Sequence, residues 1–208
     1  MEAFVALLAI PLFGGPFLWL WGDRPSAPEV NAGFSLATFA ASAWLTAEVI
    51  SGGPITAFGE QFFIDALNVF LVALTAFVGF TTSLFSRPYM RIERDKGKMT
   101  GPRLRLYHSM YQAFMATMLL ALTTNNLGIL WVAMEAATLA TVLLVSVYRT
   151  AASLEAAWKY FILCGVGIAQ ALFGTILLYF AAERVLGAEG NALLWTHLNL
   201  VKADLEPA

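Results

Sequence analysis

Six apolar runs, at residues 3–21, 31–50, 64–86, 106–123, 127–148 and 156–181, alternate with short polar or turn-forming segments. At about 1.5 Å per residue, each run is long enough to cross a hydrocarbon layer roughly 30 Å thick as a helix. The breaks have recognisable causes: Asp23, Arg24 and Pro25, then Gly52, Gly53 and Pro54, then Thr124, Asn125 and Asn126 are residues that favour turns. The pattern predicts an all-α fold, a polytopic membrane helical bundle of six transmembrane helices. It forms one domain, 1–208, with residues 182–208 as a polar outer tail. The short connection at 124–126 makes the fourth and fifth helices antiparallel neighbours. Pro11, Gly14, Gly15 and Pro16 permit a kink in the first span, because adjacent helices satisfy freed backbone groups. Gly165, Gly167 and Gly174 predict close helix contact along the sixth. Two stretches are too short to cross. Residues 55–63, with Phe58, Phe62 and Phe63, suit an extended hairpin arm or a boundary segment, and 191–201 suits a helix flat at the interface.

Composition agrees with this class. The chain is 59% hydrophobic and 12% charged, with mean hydropathy +0.71, well beyond soluble domains. A net charge of −2 offers no basic face, which excludes nucleic acid as a partner. Cys164 is the only cysteine, so neither an internal disulfide nor a cysteine metal site is expected. With no phosphate-cradling glycine loop and no His-rich spacing, the sequence predicts no cofactor, no metal and no catalytic group of its own. The opening MEAFVALLAI lacks the positive flank of a signal peptide, so the first span is expected to be retained. Seven of the twelve Lys and Arg fall in residues 87–105. Placing the N-terminus outside puts those seven, Arg24 and Arg149 on the inner side, against Arg184 and Lys202 outside. The bias predicts a multi-pass protein of the cell inner membrane with both termini outside.

Glu135 is the one acid far from either end of a span. Its distance from Leu127 places the carboxylate roughly 12 Å along the fifth helix. An ionised carboxylate there is costly unless a partner, water or a proton neutralises it, and acids inside membrane helices are functional by default. At helical spacing Glu135 shares a face with Trp131, Thr138, Leu139 and Val142, while Ala133, Ala137 and Thr141 form a small-residue stripe for close packing. The plainer alternative is a protonated carboxyl that only hydrogen-bonds between helices. Lys159 carries two readings. It can snorkel to water and pair with Glu155, four residues earlier, or it can point inward and bias the protonation of an acid on the neighbouring helix. His108 opens the fourth span, where it is either an exposed interfacial side chain or a proton relay. Asp65 suits a helix cap, a tight turn accounts for Asn125 and Asn126, and His197 has no expected role.

TNNLGILWVAME, the SLEAAWKY that opens the next span, and FIDALNVFLVALTAFVGFTTSLFSRPYMR carry a likeness covering residues 62–179. They resemble the antiporter-like proton-translocating subunits shared by respiratory complex I, Mrp-type cation/proton antiporters and membrane-bound hydrogenases, most of all the hydrogenase-4 component F type. The resemblance implies that Glu135 is a central proton-channel residue and that Lys159 takes part. Family members pair the glutamate with a lysine on a broken helix after the sixth span, and carry more than twice as many spans in two inverted repeats. The chain therefore resembles the N-terminal portion of such a subunit: truncated, one part of a split subunit, or a reduced paralogue. It implies a proton-translocating subunit driven by redox energy, a transport component rather than a catalytic subunit. The implied partners are protons, the lipid bilayer and other membrane subunits of a respiratory or hydrogenase complex. A Mrp-like cation/proton antiporter, an inorganic-carbon uptake component and a non-transporting membrane scaffold remain as alternatives.

Overall fold

The computed structural model describes residues 1–187 and 191–205. Six long helices form the bundle: α1 (Glu2–Trp21), α2 (Ala27–Gly52), α3 (Ala66–Asp95), α4 (Gly101–Thr123), α5 (Leu127–Val145) and α6 (Ala151–Leu186). A hairpin of β1 (Ile55–Ala57) and β2 (Phe62–Ile64) joins α2 to α3, a 3₁₀ turn spans Ser146–Tyr148, and a short α7 (Trp195–Val201) follows α6. Strands β1 and β2 pair antiparallel with Ile55 opposite Ile64, so the stretch too short to span is a hairpin arm.

Local chemistry explains the boundaries. Asp65 caps α3, its Oδ1 accepting the N–H groups of Leu67 and Asn68 at 2.9 Å each. Asn126 caps α5, accepting from Gly128 at 2.7 Å. Thr150 and Ser153 make a reciprocal capping box that starts α6 at Ala151, so the polar segment expected as a loop over 149–155 is helical from that point. Pro11 and Pro16 lie inside α1, which stays helical from end to end.

Among the described residues, five helices, α1, α2, α3, α5 with its 3₁₀ extension, and α6, are long and apolar enough to cross a membrane. The protein is a multi-pass membrane protein. The sixth expected span, α4, falls short of that measure because Tyr107, His108, Ser109, Tyr111 and Gln112 dilute its apolar content. Its position resolves the discrepancy. Helix α4 packs against α1 and α5 most extensively and also against α2 and α3, so protein rather than lipid surrounds its polar residues. Close approach depends on small residues facing it. A Cβ on Gly14 would lie 3.1 Å from Phe34 and 3.4 Å from Gln112, and one on Gly22 would lie 2.9 Å from the Arg105 backbone. Tyr111 reaches from α4 to donate its hydroxyl to the carbonyl of Gly79 on α3.

The two ends of the bundle differ. At one end lie the basic residues: Glu29 accepts from Arg87 at 3.2 Å and from Arg91, and Asp23 binds Arg105 at 2.5 Å. The other end is closed by the hairpin, the α4–α5 turn and α7. Asn125 joins all three, donating to the Glu60 carbonyl and the Thr196 hydroxyl at 2.9 Å each while its Oδ1 accepts the Thr196 N–H at 3.2 Å. Its role exceeds the tight turn expected from sequence. His197, expected to be idle, lies 3.0 Å from Glu60 on the hairpin. The described part of the tail is anchored, with Ala192, Leu194 and Leu198 buried.

Candidate functional site

Helices α5 and α6 frame the site. The small residues Ala133, Ala137 and Ala140 of α5 are buried, which turns Glu135 away from them and toward α6. The acid lines a groove of about 340 Å³ with Trp131 of its own helix and Gly165, Ile168, Ala169 and Leu172 of α6. The side chain is half-buried rather than enclosed on all sides. Its Oε2 is shielded from solvent and has no hydrogen-bond partner among the described residues. Trp131, one turn before it, directs its Nε1–H to the Ile168 carbonyl at 2.8 Å, which joins the two helices and leaves no indole donor for the acid. The side chains lining the groove are therefore apolar or committed apart from one carboxyl, the one group there able to exchange a proton or hold a cation.

The expected close contacts at Gly165, Gly167 and Gly174 are absent: a Cβ at each would meet nothing within 4 Å. Gly165 instead keeps the groove beside Glu135 open, and α6 leaves Trp158, Ile162, Leu163, Val166 and Phe173 exposed.

The three sequence candidates do not meet in one place. Lys159 pairs with Glu155 at 2.5 Å, with 70% of its side chain exposed. It sits six residues before Gly165, about 9 Å along α6 from the nearest part of the groove. The snorkelling pair foreseen as one of its two readings is the geometry it adopts. His108 is fully buried, a correction to the exposed interfacial reading, because α4 occupies the middle of the bundle and α2 covers this face. Neither ring nitrogen has a partner among the described residues. One turn further along α4, Gln112 donates to Asn31 Oδ1 of α2 at 2.8 Å and to Ser35 Oγ at 3.1 Å. Sequence reasoning passed over Asn31, Ser35 and Gln112. An amide at the start of the second span, another inside the fourth and the His108–Gln112 spacing were the available signal.

No cluster of metal-ligating side chains occurs among the described residues.

The chain is similar to several known proteins. The family described as "NADH:quinone oxidoreductase/Mrp antiporter, TM" matches residues 124–194, the segment that carries Glu135 and Lys159. The Hydrogenase-4 component F homolog of Methylacidiphilum infernorum is 54% identical over 140 residues, covering 67% of this chain and 29% of that protein. The NADH-quinone oxidoreductase subunit L of Mycobacterium tuberculosis is 28% identical over 194 residues, covering 83% of this chain and 29% of that protein. A chain of the membrane-bound sulfane sulfur reductase, an archaeal respiratory membrane complex, shares the fold over 100% of this chain and 41% of its own, with TM-score 0.80 and 21% identity. The chain thus spans between about three and four tenths of the length of these proteins. Matched segment and shared fold together identify it as an antiporter-like membrane subunit of the complex I, Mrp antiporter and hydrogenase family.

Proposed function

We propose that the chain is a proton-translocating subunit of a hydrogenase- or NADH-dehydrogenase-type membrane complex, with Glu135 as the residue that carries the proton. The observation behind this is the shielded, unpartnered Oε2 of Glu135 in a groove otherwise lined by apolar residues. The names of the relatives supply the complex: a hydrogenase-4 component and NADH-quinone oxidoreductase subunits. Glu135 accepts a proton from water reaching the groove, and releases it when the charge on a neighbouring helix or subunit changes. Redox chemistry in partner subunits of the complex drives that change.

Lys159 is the second proton-transfer residue in this account. Its bond to Glu155 is an exposed pair four residues apart on one helix, of a type worth only about 0.3–0.5 kcal/mol. Exchanging Glu155 for another acid therefore costs little. Glu135→Gln in the native complex should abolish proton movement per electron transferred while the subunit still assembles, and Lys159→Met should weaken it. Unchanged proton-to-electron ratios in both variants would defeat the proposal.

The chain resides in the cell inner membrane, in contact with lipid and with other membrane subunits, and its basic end faces inward with both termini outside. The clustering of Arg87, Arg91, Arg94, Lys96, Lys98, Arg103 and Arg105 at one end supports that orientation. A cysteine placed at Gly97 should react with an impermeant thiol reagent only from the inner face. The family description also names Mrp antiporters, which keeps cation/proton exchange as a second reading; sodium-dependent proton flux would favour it.

A further inference from the structure

On the far side of α4 from Glu135, the seam between α2 and α4 holds a second polar site. Asn31, His108 and Gln112 are each 0% exposed, and Ser35 is 2% exposed. All are far more polar than the helices that enclose them. Their mutual hydrogen bonds use only part of their capacity. Gln112 Nε2 donates to Asn31 Oδ1 at 2.8 Å, to Ser35 Oγ at 3.1 Å and to the Asn31 carbonyl at 3.3 Å. That leaves Asn31 Nδ2, Gln112 Oε1 and both His108 ring nitrogens shielded and unpartnered among the described residues. Reversing the two amides does not cure this, since a carboxamide always presents one acceptor and one donor group, and reversal only exchanges which atoms are left over. The imidazole likewise needs a donor for one nitrogen and an acceptor for the other, whichever tautomer it holds. Ser35 and Ser109 supply no donor, because their hydroxyls donate to the carbonyls of Asn31 at 3.0 Å and Gly15 at 2.8 Å, and the Ser35 oxygen already accepts from Gln112.

Water donates and accepts at once, and buried waters characteristically bridge two to four such groups. We infer that the α2–α4 seam is a water-binding site formed by Asn31, His108 and Gln112, which keeps the His108 ring in proton exchange with the aqueous phase at the basic end. Glu29, two residues before Asn31 in the first turn of α2, pairs with Arg87 and Arg91 at that basic end and gives the exchange its direction. This site is separate from the Glu135 groove, from which the body of α4 divides it, and it stands whether or not Glu135 carries protons.

The chain has two histidines, so ring-nitrogen labelling reports the site without interference. The test uses the full chain, labelled with ¹⁵N-imidazole histidine and reconstituted in lipid vesicles, with magnetisation transferred from mobile water; His197→Gln assigns the two resonances. The expected result is early build-up of the His108 signal, comparable with that of His197, and loss of this early transfer in Gln112→Leu. Glu135→Gln should leave it unchanged. A wild-type His108 signal that rises only as late as the surrounding apolar side chains shows a dry seam and overturns the inference. The wild-type spectrum is decisive by itself, so the test holds even where Gln112→Leu misfolds.

Discussion

Glu135 is held by shape rather than by partners. Its neighbours across the groove are apolar or glycine, and the one nearby donor, the indole of Trp131, is committed to Ile168. A group so placed gains most from whatever polar species reaches it, which is the physical basis of the proton-carrying role proposed for it. Asp23 shows the opposite condition. It lies in the turn between α1 and α2, open to water and bound to Arg105, and that hydrogen bond holds its carboxyl below the ordinary value of 3.8. Since the folded value is depressed, the contribution of the pair is complete above 3.8 and is lost as pH falls through the lower folded value. Wild type should therefore unfold at a higher temperature than Asp23→Asn near neutral pH, with the gap closing in acid well below 3.8. Because the pair is in contact with solvent, the gap should also shrink as salt is raised. Thermal unfolding of both proteins across pH checks this.

At the scale of elements, Asn125 links three pieces of chain, the hairpin, the α4–α5 turn and α7, alongside the His197–Glu60 contact between the first and the last. Asn125→Ala removes its bonds to Glu60 and Thr196 and leaves the part-buried Glu60 carbonyl and Thr196 N–H without this partner, a cost of about 1 kcal/mol. The expected outcome is a lower unfolding temperature and faster proteolysis beyond Gly187, with α5 and α6 intact. The apolar runs made the helices legible, because a membrane solvent demands about twenty residues of uninterrupted helix and the runs supply them. Asp65 was legible as a cap for the same reason that caps are generally local. The central position of α4 was not. Hydropathy counts His108 and Gln112 against a span, whereas the fold surrounds them with α1, α2, α3 and α5, which is a tertiary fact. The start of α6 was hidden because Thr150 and Ser153 look like loop residues until their reciprocal bonds are seen. The three glycines of α6 misled because small size permits contact without requiring it.

In the whole molecule, α6 is the outlier. It is 36 residues long and packs on α5 along one side, leaving a continuous apolar face beside the Glu135 groove. Lipid or protein must cover that face, and in the proposed complex a partner helix there would complete the surroundings of the acid. Residues 62–179 were legible as kin because that segment contains both the groove and its framing helices, whereas α1 and α2 matched only in being apolar. The candidate site was half legible. Spacing on α5 aimed Glu135 toward another helix, but nothing in the sequence separated its groove from Lys159 by between one and two turns of α6. The central claim is that Glu135 changes protonation as the complex turns over. Redox-triggered infrared difference spectroscopy of the native complex addresses it directly. The account predicts a carboxylic C=O band that appears with turnover, shifts in deuterated water and is missing in Glu135→Gln; the same band surviving intact in that variant would contradict it.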